Sequence, residues 1–265
     1  MPEYPEVELM KQYCDSTSLH QEIKSVDLRE KIILEGDTIK DFERGLKGRS
    51  FASTHRHGKY LFLELDKGGW VVLHFGMTGD LQYFKDKEEE PDYVKLLIEF
   101  TNGYHLGLIM PRKLGVVGHV QDVEDYIQSK NLGPDVMADD FDLDAFLNVL
   151  EGRRGMIKSA MMNQKIMAGV GNVYSDEILF QARVHPKAKV NDLDRETLGR
   201  IFDCLKDVLG TLVEIRLERD KLPRNYLLPV REEGAKCPYC QGDVKNIKVS
   251  GRSAYFCPGC QKMSG

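Results

Sequence analysis

The sequence of 265 residues has no long apolar run, only six cysteines and no overall excess of basic residues. Its longest apolar stretches, such as Trp70-Val71-Val72-Leu73, have the length of a strand, whereas a membrane-spanning helix needs about 20 such residues. Acidic residues follow Met1 where a secretory leader would have basic and then apolar residues. We therefore expect neither a membrane span nor a signal peptide.

The net charge of −5 is unusual for a protein that binds nucleic acid. The charge is unevenly distributed, however, because residues 153–189 and residues 221–265 each carry +5 and the remainder carries −15. The charge of a surface, rather than the total charge, steers a polyanion. The two basic segments therefore permit a nucleic-acid interface, although basic stretches more often form ordinary solvated surface.

The cysteines include two C-x-x-C pairs, Cys237-Pro-Tyr-Cys240 and Cys257-Pro-Gly-Cys260, which are separated by sixteen residues. Four thiolates at this spacing predict one tetrahedral Zn²⁺ site, which is structural because four sulfur ligands leave no position for water. The alternative of two disulfides conflicts with the reducing, cytoplasmic compartment that we infer from the cysteine usage. Zinc modules of this kind occur in proteins of many functions, so the motif alone does not identify one.

Hydrophobic periodicity divides the chain into a strand-rich part and a helix-rich part. Residues 5 to about 13 fit a short amphipathic helix, and residues 23–121 then follow a strand pattern with turn signals, as in a sandwich or barrel. Residues 60–65 with 70–75, and residues 93–100 with 104–110, predict two hairpins. After a change of pattern at residues 131–134, helices are predicted at 142–150, 173–180 and 194–217.

Pro2 and Glu3 are the candidate catalytic residues. If Met1 is removed, Pro2 has a free secondary amine, and an α-amine that titrates near ~8 is partly nucleophilic at neutral pH. Such an amine can attack a sugar carbon to form an iminium, and the adjacent Glu3 could transfer protons. The alternative is an ordinary helix start, since Pro5 suits a first turn and acids there complement the helix dipole.

Five segments spread over the whole chain resemble one known family. They are Met1-Pro-Glu-Tyr-Pro-Glu6, Arg56-His-Gly-Lys-Tyr60, His74-Phe-Gly-Met-Thr-Gly79, Ala168-Gly-Val-Gly-Asn-Val-Tyr174 and Gly251-Arg-Ser-Ala-Tyr-Phe-Cys-Pro-Gly-Cys-Gln-Lys262. In this order they resemble the Fpg/Nei DNA glycosylases, the formamidopyrimidine-DNA glycosylase and endonuclease VIII group.

The resemblance implies an α+β fold with a β-sandwich flanked by helices over residues 1–130. It further implies a helix-two-turn-helix bundle over residues 131–230 and a four-cysteine zinc hairpin over residues 231–265. The implied function is base-excision repair, in which the damaged nucleotide is flipped from the stack, Pro2 attacks C1′ and the Schiff base undergoes β- and then δ-elimination. We expect damaged double-stranded DNA as the partner and a cytoplasmic, nucleoid-associated monomer.

The resemblance also assigns roles to individual residues. Lys59 joins Pro2 and Glu3 as a catalytic residue. The residues assigned to DNA contact are His74, Met77, Arg112, Leu114, Lys158, Asn172 and Arg252. Lysine binds phosphate as a point charge, arginine binds it with a bidentate fork, and a helix N-terminus binds it through free N–H groups. Without the resemblance, ordinary structural roles such as a surface lysine, a core methionine or a helix cap are the more frequent explanation of such residues.

Two departures from the family pattern concern the substrate. Residues 110–115 stand where formamidopyrimidine glycosylases usually have Asp-Pro-Arg-Arg-Phe, so that Arg112 is kept and Leu114 replaces an aromatic wedge. The segment 218–236 is short and lacks the Gly-Gly-Thr-Thr-type stretch that helps cap a flipped purine. We expect broad activity on ring-opened or oxidised bases and abasic sites, with 8-oxoguanine opposite cytosine a relatively poor substrate.

Two other functions compete with that of a glycosylase. A catalytically silent damage-binding protein would keep Asn172, Arg252 and the zinc site but lose Pro2 or Glu3, and both are present. A zinc-ribbon interaction module with an unrelated N-terminal domain would leave the first six residues unexplained.

Overall fold

The structure, a computed structural model, describes residues 1–263 and consists of two compact units. Met1–Pro2 and Glu6–Asn131 form the first unit, and Glu3–Pro5 and the chain from Leu132 onwards form the second. Each unit has its own large cluster of buried apolar side chains. Among residues 1–263, none of the helices combines the length and the apolar composition that crossing a bilayer requires.

The strands of the first unit form two sheets. They are β1 Ile23–Leu28, β2 Leu34–Glu35, β3 Phe51–His57, β4 Tyr60–Leu65, β5 Trp70–His74, β6 Asp80–Phe84, β7 Val94–Phe100, β8 His105–Ile109 and β9 Val116–Val120. One sheet has the order β1-β7-β8-β6 and the other the order β2-β9-β5-β4-β3. Apolar side chains from both sheets, including Leu63, Leu73, Ile98 and Leu106, share one buried cluster, as in a β-sandwich.

Both predicted hairpins are confirmed. The strands β4 and β5 pair antiparallel with Leu63 opposite Val71, and β7 and β8 pair antiparallel with Ile98 opposite Leu106. The pairing places apolar residues of neighbouring strands beside one another, which is the unit of sheet stabilisation.

The helices at the ends of the sandwich sequence are α1 Tyr4–Thr17, α2 Ile39–Leu46 and α3 Val123–Ser129. The predicted N-terminal helix is present and extends four residues beyond the expected end at residue 13. The α2 and α3 helices were not predicted. Thr38 caps α2 by accepting from the Asp41 N–H, and Phe42 and Leu46 bury one face of the helix.

The helices of the second unit are α4 Leu143–Leu150, α5 Ile157–Met162, α6 Asn172–Gln181 and α7 Arg195–Glu214. Asp142 caps α4 and Asp194 caps α7, as is typical of helix N-termini. The α6 helix is buried over seven consecutive residues, from Tyr174 to Phe180. A helix buried all round carries no polar face for solvent, so its polar residues must find partners inside the protein.

A hairpin of β10 Lys245–Val249 and β11 Arg252–Phe256 follows the helices. Its turn consists of Ser250 and Gly251, both with positive φ, 47° and 78°, which matches the right-handed twist of the strands. A separate apolar cluster of Phe180, Leu227, Cys237, Val244 and Cys257 joins α6 to the cysteine-bearing segment. The predicted α+β class, with sheets in the N-terminal part and helices after it, is confirmed.

Candidate functional site

Glu3 is held at the N-terminus of α6. Its Oε2 accepts hydrogen bonds from the N–H groups of Gly171 (2.7 Å) and Tyr174 (3.3 Å), and its Oε1 accepts one from Val173 (2.9 Å). The first N–H groups of a helix have no partner within the helix, and the helix dipole favours a negative group there. The carboxylate of Glu3, only 1% exposed, therefore occupies an anion-binding position built by the main chain.

Gly171 leaves the space that this carboxylate fills. A Cβ at Gly171 would lie 2.7 Å from Cγ of Glu3 and closer still to the carboxylate. The φ of Gly171 is −125°, which any residue adopts, so space rather than backbone conformation excludes a side chain here. The Tyr4 N–H also donates to the Gly169 carbonyl (3.0 Å). The chain directly after Pro2 is thereby anchored through both its side chain and its main chain.

In the first unit, Lys59 and His74 lie within electrostatic reach of one another. Lys59 follows β3 in the turn before β4 and is 5% exposed, and His74 ends β5. Burial lowers the pKa of His74 to about 4, and the positive charge of Lys59 adds to this effect. The Nδ1 atom of His74 accepts from the Gly76 N–H (3.3 Å), so the neutral ring carries its proton on Nε2. His74 is therefore a neutral hydrogen-bond donor at neutral pH.

Met77 and Leu114 lie on neighbouring loops of the first unit. A Cβ at Gly76, whose φ is +60°, would lie 2.6 Å from the main-chain carbon of Leu114, so the two loops meet backbone against backbone. Met77 is 41% exposed and Leu114 56% exposed, and Arg112 is exposed on the same loop as Leu114. Exposed large apolar side chains of this kind can insert between the base steps of a duplex.

Lys158 is placed differently from the prediction of a direct DNA contact. Its side chain is fully buried, and Nζ donates to Asp176 Oδ1 (2.6 Å), Ser175 Oγ (2.8 Å) and the main-chain oxygen of Asn172 (2.9 Å). Burial lowers the pKa of Lys158, and Asp176 opposes that shift. An ammonium group that already has three acceptors inside the protein is not presented to a phosphate. It instead supports the first turn of α6.

Asn172 and Arg252 belong to the second unit. Asn172 is the first residue of α6 and half-buried, and its Oδ1 is a buried atom without a hydrogen-bond partner among residues 1–263. Arg252 is exposed directly after the hairpin turn. The hydroxyl groups of Ser250 in that turn and Ser159 of α5 lie 2.7 Å apart. The hairpin turn that precedes Arg252 therefore lies against α5, next to Lys158.

The four cysteines of the C-x-x-C pairs form one cluster. All four Sγ atoms lie within 4.8 Å of one another, with Cys237 and Cys260 3.7 Å apart and Cys240 and Cys257 3.4 Å apart. Sulfur atoms around a tetrahedral ion at about 2.3 Å are separated by roughly 3.8 Å. The cysteines are free thiols and not disulfides, and they can hold one metal ion.

Two family models match the chain. The formamidopyrimidine-DNA glycosylase N-terminal domain matches residues 1–117, and the formamidopyrimidine-DNA glycosylase H2TH domain matches residues 132–220. Formamidopyrimidine-DNA glycosylases of Acaryochloris marina and Streptococcus pneumoniae serotype 4 are 30% and 32% identical, over 100% and 99% of both chains. The chain belongs to the formamidopyrimidine-DNA glycosylase family. The predicted family and the predicted base-excision-repair glycosylase function are thereby confirmed.

Solved structures of the Lactococcus lactis glycosylase have the same fold. A complex of that enzyme with abasic-site DNA is 25% identical, has a TM-score of 0.88, and covers 98% of this chain and 99% of its own. A complex of a point mutant of that enzyme with Fapy-dG-containing DNA is 26% identical, with a TM-score of 0.89 and coverage of 98% and 100%. Both neighbours are DNA complexes, which supports DNA binding by this family member.

Two acids of this glycosylase were missed by the sequence reasoning. Asp176 Oδ2 accepts from Arg231 Nε (2.9 Å) and Nη2 (2.7 Å) and from the Tyr255 N–H (3.1 Å). Glu177 accepts from the N–H groups of Leu227 (3.2 Å) and Leu228 (2.7 Å), and burial raises its pKa to about 7. The available sequence signal was a pair of adjacent acids in a predicted helix that has no other charged residue and lies within a basic segment.

Proposed function

We propose that this glycosylase is bifunctional, removing oxidised or ring-opened bases and then cleaving the abasic strand through Pro2. The observation that carries this proposal is the anchoring of Glu3 by the N-terminal N–H groups of α6. A catalytic amine at the end of a chain needs its neighbours fixed, because a misplacement of about 1 Å can cost about 10²-fold in rate. The residue that follows Pro2 has that fixation.

The chemistry begins with the secondary amine that Pro2 exposes once Met1 is removed. Its nitrogen attacks C1′ of the extruded nucleotide and loses its proton, the C1′–N bond to the damaged base breaks, and the base leaves with the bonding electrons and gains a proton. The sugar C1′–O4′ bond then opens as nitrogen and C1′ form an iminium, and O4′ takes up a proton. Glu3 is the proposed carrier of that proton.

Strand cleavage follows from the iminium. Loss of a proton from C2′ expels the 3′ phosphate (β-elimination), and loss of a proton from C4′ then expels the 5′ phosphate (δ-elimination). Positive groups and neutral hydrogen-bond donors assist both departures by binding the phosphates. We assign this task to Lys59 and His74 in the first unit and to Asn172 and Arg252 in the second.

The space left by the extruded base needs filling as well. We assign Met77 and Leu114 to this space and Arg112 to the orphaned base opposite, since the three are presented on adjoining loops. Leucine unstacks a base step without stacking on a base, so the opposite base is read by Arg112 alone.

The proposed metal is one Zn²⁺ held by Cys237, Cys240, Cys257 and Cys260. Four thiolates complete a tetrahedral shell, so the ion supplies folding energy to the hairpin that bears Arg252 and no reactive water. We also propose three functional segments, residues 1–130, 131–230 and 231–265, and action as a monomer.

The proposed substrate range is broad. The segment 218–236 contains only the short 3₁₀ turns Arg219–Lys221 and Leu228–Val230. The carboxylate of Glu177 accepts from the N–H groups of Leu227 and Leu228 and so anchors the main chain of segment 218–236. Tyr226 of the same segment is 7% exposed and packs in the core of the second unit. An anchored segment without a base-specific hydrogen-bonding stretch discriminates weakly between lesions.

The deciding experiment is borohydride trapping on DNA with an abasic site. Wild-type protein should give a covalent adduct, and Pro2→Gly or one added N-terminal residue should greatly weaken it. Pro91→Gly, in the acidic loop between β6 and β7, is the matched control and should trap normally. An undiminished adduct in both N-terminal variants would reassign the nucleophile to a lysine, and binding without any adduct would indicate a catalytically silent damage-binding protein.

The substrate proposal has its own test. Single-turnover excision of 8-oxoguanine, formamidopyrimidine, 5-hydroxyuracil and thymine glycol is compared in one duplex sequence. We expect similar kcat/KM values, with 8-oxoguanine opposite cytosine relatively poor. A strong preference for 8-oxoguanine opposite cytosine would contradict the assignment of segment 218–236 as an unselective cover.

A further inference from the structure

Asp176 receives hydrogen bonds from three elements besides its own helix. It lies in the middle of α6 and is fully buried. Its Oδ1 accepts from Lys158 of α5, and its Oδ2 accepts from Arg231 in the segment before the cysteine cluster and from the Tyr255 N–H of β11. The two oxygens thus divide the contacts: one faces the helix bundle and the other faces the hairpin.

The contacts continue on either side to two residues proposed to bind phosphate. Lys158 also donates to the main-chain oxygen of Asn172, one helical turn before Asp176. On the other side, Tyr255 lies three residues after Arg252 on the same strand. A short chain of buried polar contacts therefore runs from the first turn of α6 to the strand that begins with Arg252.

The charged cluster of Lys158, Asp176 and Arg231 is better suited to fixing the geometry of the surrounding elements than to adding stability. Replacing buried ion pairs by apolar residues is often neutral or stabilising, whereas their directional contacts can specify one arrangement. Arg231 contributes to that arrangement twice, because its guanidinium carbon also lies 4.6 Å from the centre of the Tyr255 ring. A further polar contact between α5 and the hairpin turn is an exposed pair of hydroxyl groups, Ser159 and Ser250.

We propose that Asp176 is a positioning residue that fixes Arg252 relative to Asn172 before DNA arrives. This inference rests on the proposed function, which takes Asn172 and Arg252 as phosphate contacts. Because the two groups are held as one unit, binding of one phosphate places the next phosphate against the other group. The two contacts are then energetically coupled, although neither side chain needs to touch the other.

The coupling is measured with a double-mutant cycle. Asn172→Ala, Arg252→Ala and the double variant are compared for the dissociation constant of a duplex that carries a tetrahydrofuran abasic analogue. In the wild-type background, the fold-loss of affinity in the double variant should differ from the product of the fold-losses in the two single variants by about fivefold or more. In the Asp176→Asn background, the fold-loss of affinity in the double variant should match the product of the single fold-losses within about twofold, as is expected for independent sites.

The matched control is Glu177→Gln, which alters the next acid of the same buried helix. Among residues 1–263, Glu177 accepts hydrogen bonds from Gln181, Leu227 and Leu228 and from neither the hairpin strand nor Lys158, so its replacement should leave the coupling unchanged. Arg231→Met is the second variant, needed if Asp176→Asn does not fold, because it leaves the Lys158–Asp176 pair intact. It should lose most of the coupling while circular dichroism and metal content remain normal.

The outcomes separate the two proposals. Wild-type binding that neither single substitution weakens would refute the assigned phosphate contacts and the positioning role together. If the affinity loss of the double variant equals the product of the losses of the two single variants in the wild-type background, the two residues are not coupled. That result would overturn the positioning role and leave the proposed function standing. Coupling that survives in Asp176→Asn and Arg231→Met, or that disappears equally in Glu177→Gln, would also overturn it.

Discussion

Alanine at position 171 should displace the side chain of Glu3, which lies 168 residues away in the sequence. Gly171 has no side chain because Glu3 occupies the space that a Cβ would take: the Cβ would lie 2.7 Å from Glu3 Cγ, against about 3.5–4.0 Å for an ordinary carbon–carbon contact. The backbone itself tolerates alanine, since φ is −125°. The carboxylate of Glu3 must therefore move by about 1 Å or more.

The cost follows from the contacts that such a shift breaks. Glu3 accepts from Gly171 (2.7 Å), Val173 (2.9 Å) and Tyr174 (3.3 Å), and a displacement of about 1 Å takes all three beyond hydrogen-bonding range. Hydrogen bonds to a charged group contribute about 1.5–3 kcal/mol each, but water and relaxation recover part of this. We expect a loss of about 3 kcal/mol in transition-state stabilisation, or roughly 10²-fold in the rate of base excision.

The assay is single-turnover excision together with borohydride trapping, with thermal unfolding as a check on the fold. Gly210→Ala in α7 is the matched control, because a Cβ there meets nothing within 4 Å and φ is not positive. It should leave the rate unchanged and stabilise the helix by about 1 kcal/mol or less. A folded Gly171→Ala protein that excises within about twofold of the wild-type rate would refute the anchoring role of Glu3.

Three further predictions concern titration and the metal. The free protein should show no protonation of His74 between pH 6 and 8, because burial holds its pKa at about 4, and a titration near pH 6.5 in NMR spectra of the ring would contradict this. Because the neutral ring acts as a hydrogen-bond donor, His74→Gln should keep more affinity for the abasic duplex than His74→Ala. Burial raises the pKa of Glu177 from 4.5 to about 7, so the folded protein binds a proton there that the unfolded protein has lost. The free energy of unfolding should therefore fall by up to about 3 kcal/mol as pH rises from about 4.5 through 7. Urea titrations at several pH values measure this slope, and Glu177→Gln should flatten it. Chelation of the ion at the four cysteines should unfold the hairpin and weaken DNA binding while most of the fold persists; unchanged binding after complete metal removal would separate the hairpin from the DNA site.

The features that depend on local sequence could be predicted. Apolar runs on either side of a turn predict the hairpins of β4 with β5 and of β7 with β8, and the centre of each of these strands has three consecutive buried residues. The cysteine cluster follows from the spacing of two C-x-x-C pairs. The α2 helix was missed because its eight residues lie inside a strand-rich region. Its sequence signals are the N-cap residue Thr38 and the four-residue spacing of the apolar residues Phe42 and Leu46.

The partners of buried charges could not be predicted, because the chain brings them together over long separations. Glu3 bonds to N–H groups 168 to 171 residues away, and main-chain donors leave no trace in side-chain identity. Lys158 was assigned to DNA contact through the resemblance, and its burial is unusual because lysine is nearly always exposed. Its burial arises from the packing of α5 on α6 and from the presence of Asp176, which no local pattern of α5 contains.

The α6 helix shows why these buried charges belong together. Its first turn binds Glu3, its middle binds Lys158, Arg231 and Tyr255 through Asp176, and the next residue binds the main chain of segment 218–236 through Glu177. A ten-residue helix buried on all sides gains most of its stability from packing and needs no acids for that. Three carboxylates at or within it are costly unless fully satisfied. Their joint effect is that Glu3, the β10–β11 hairpin and the proposed lesion cover are all fixed to one helix of the second unit.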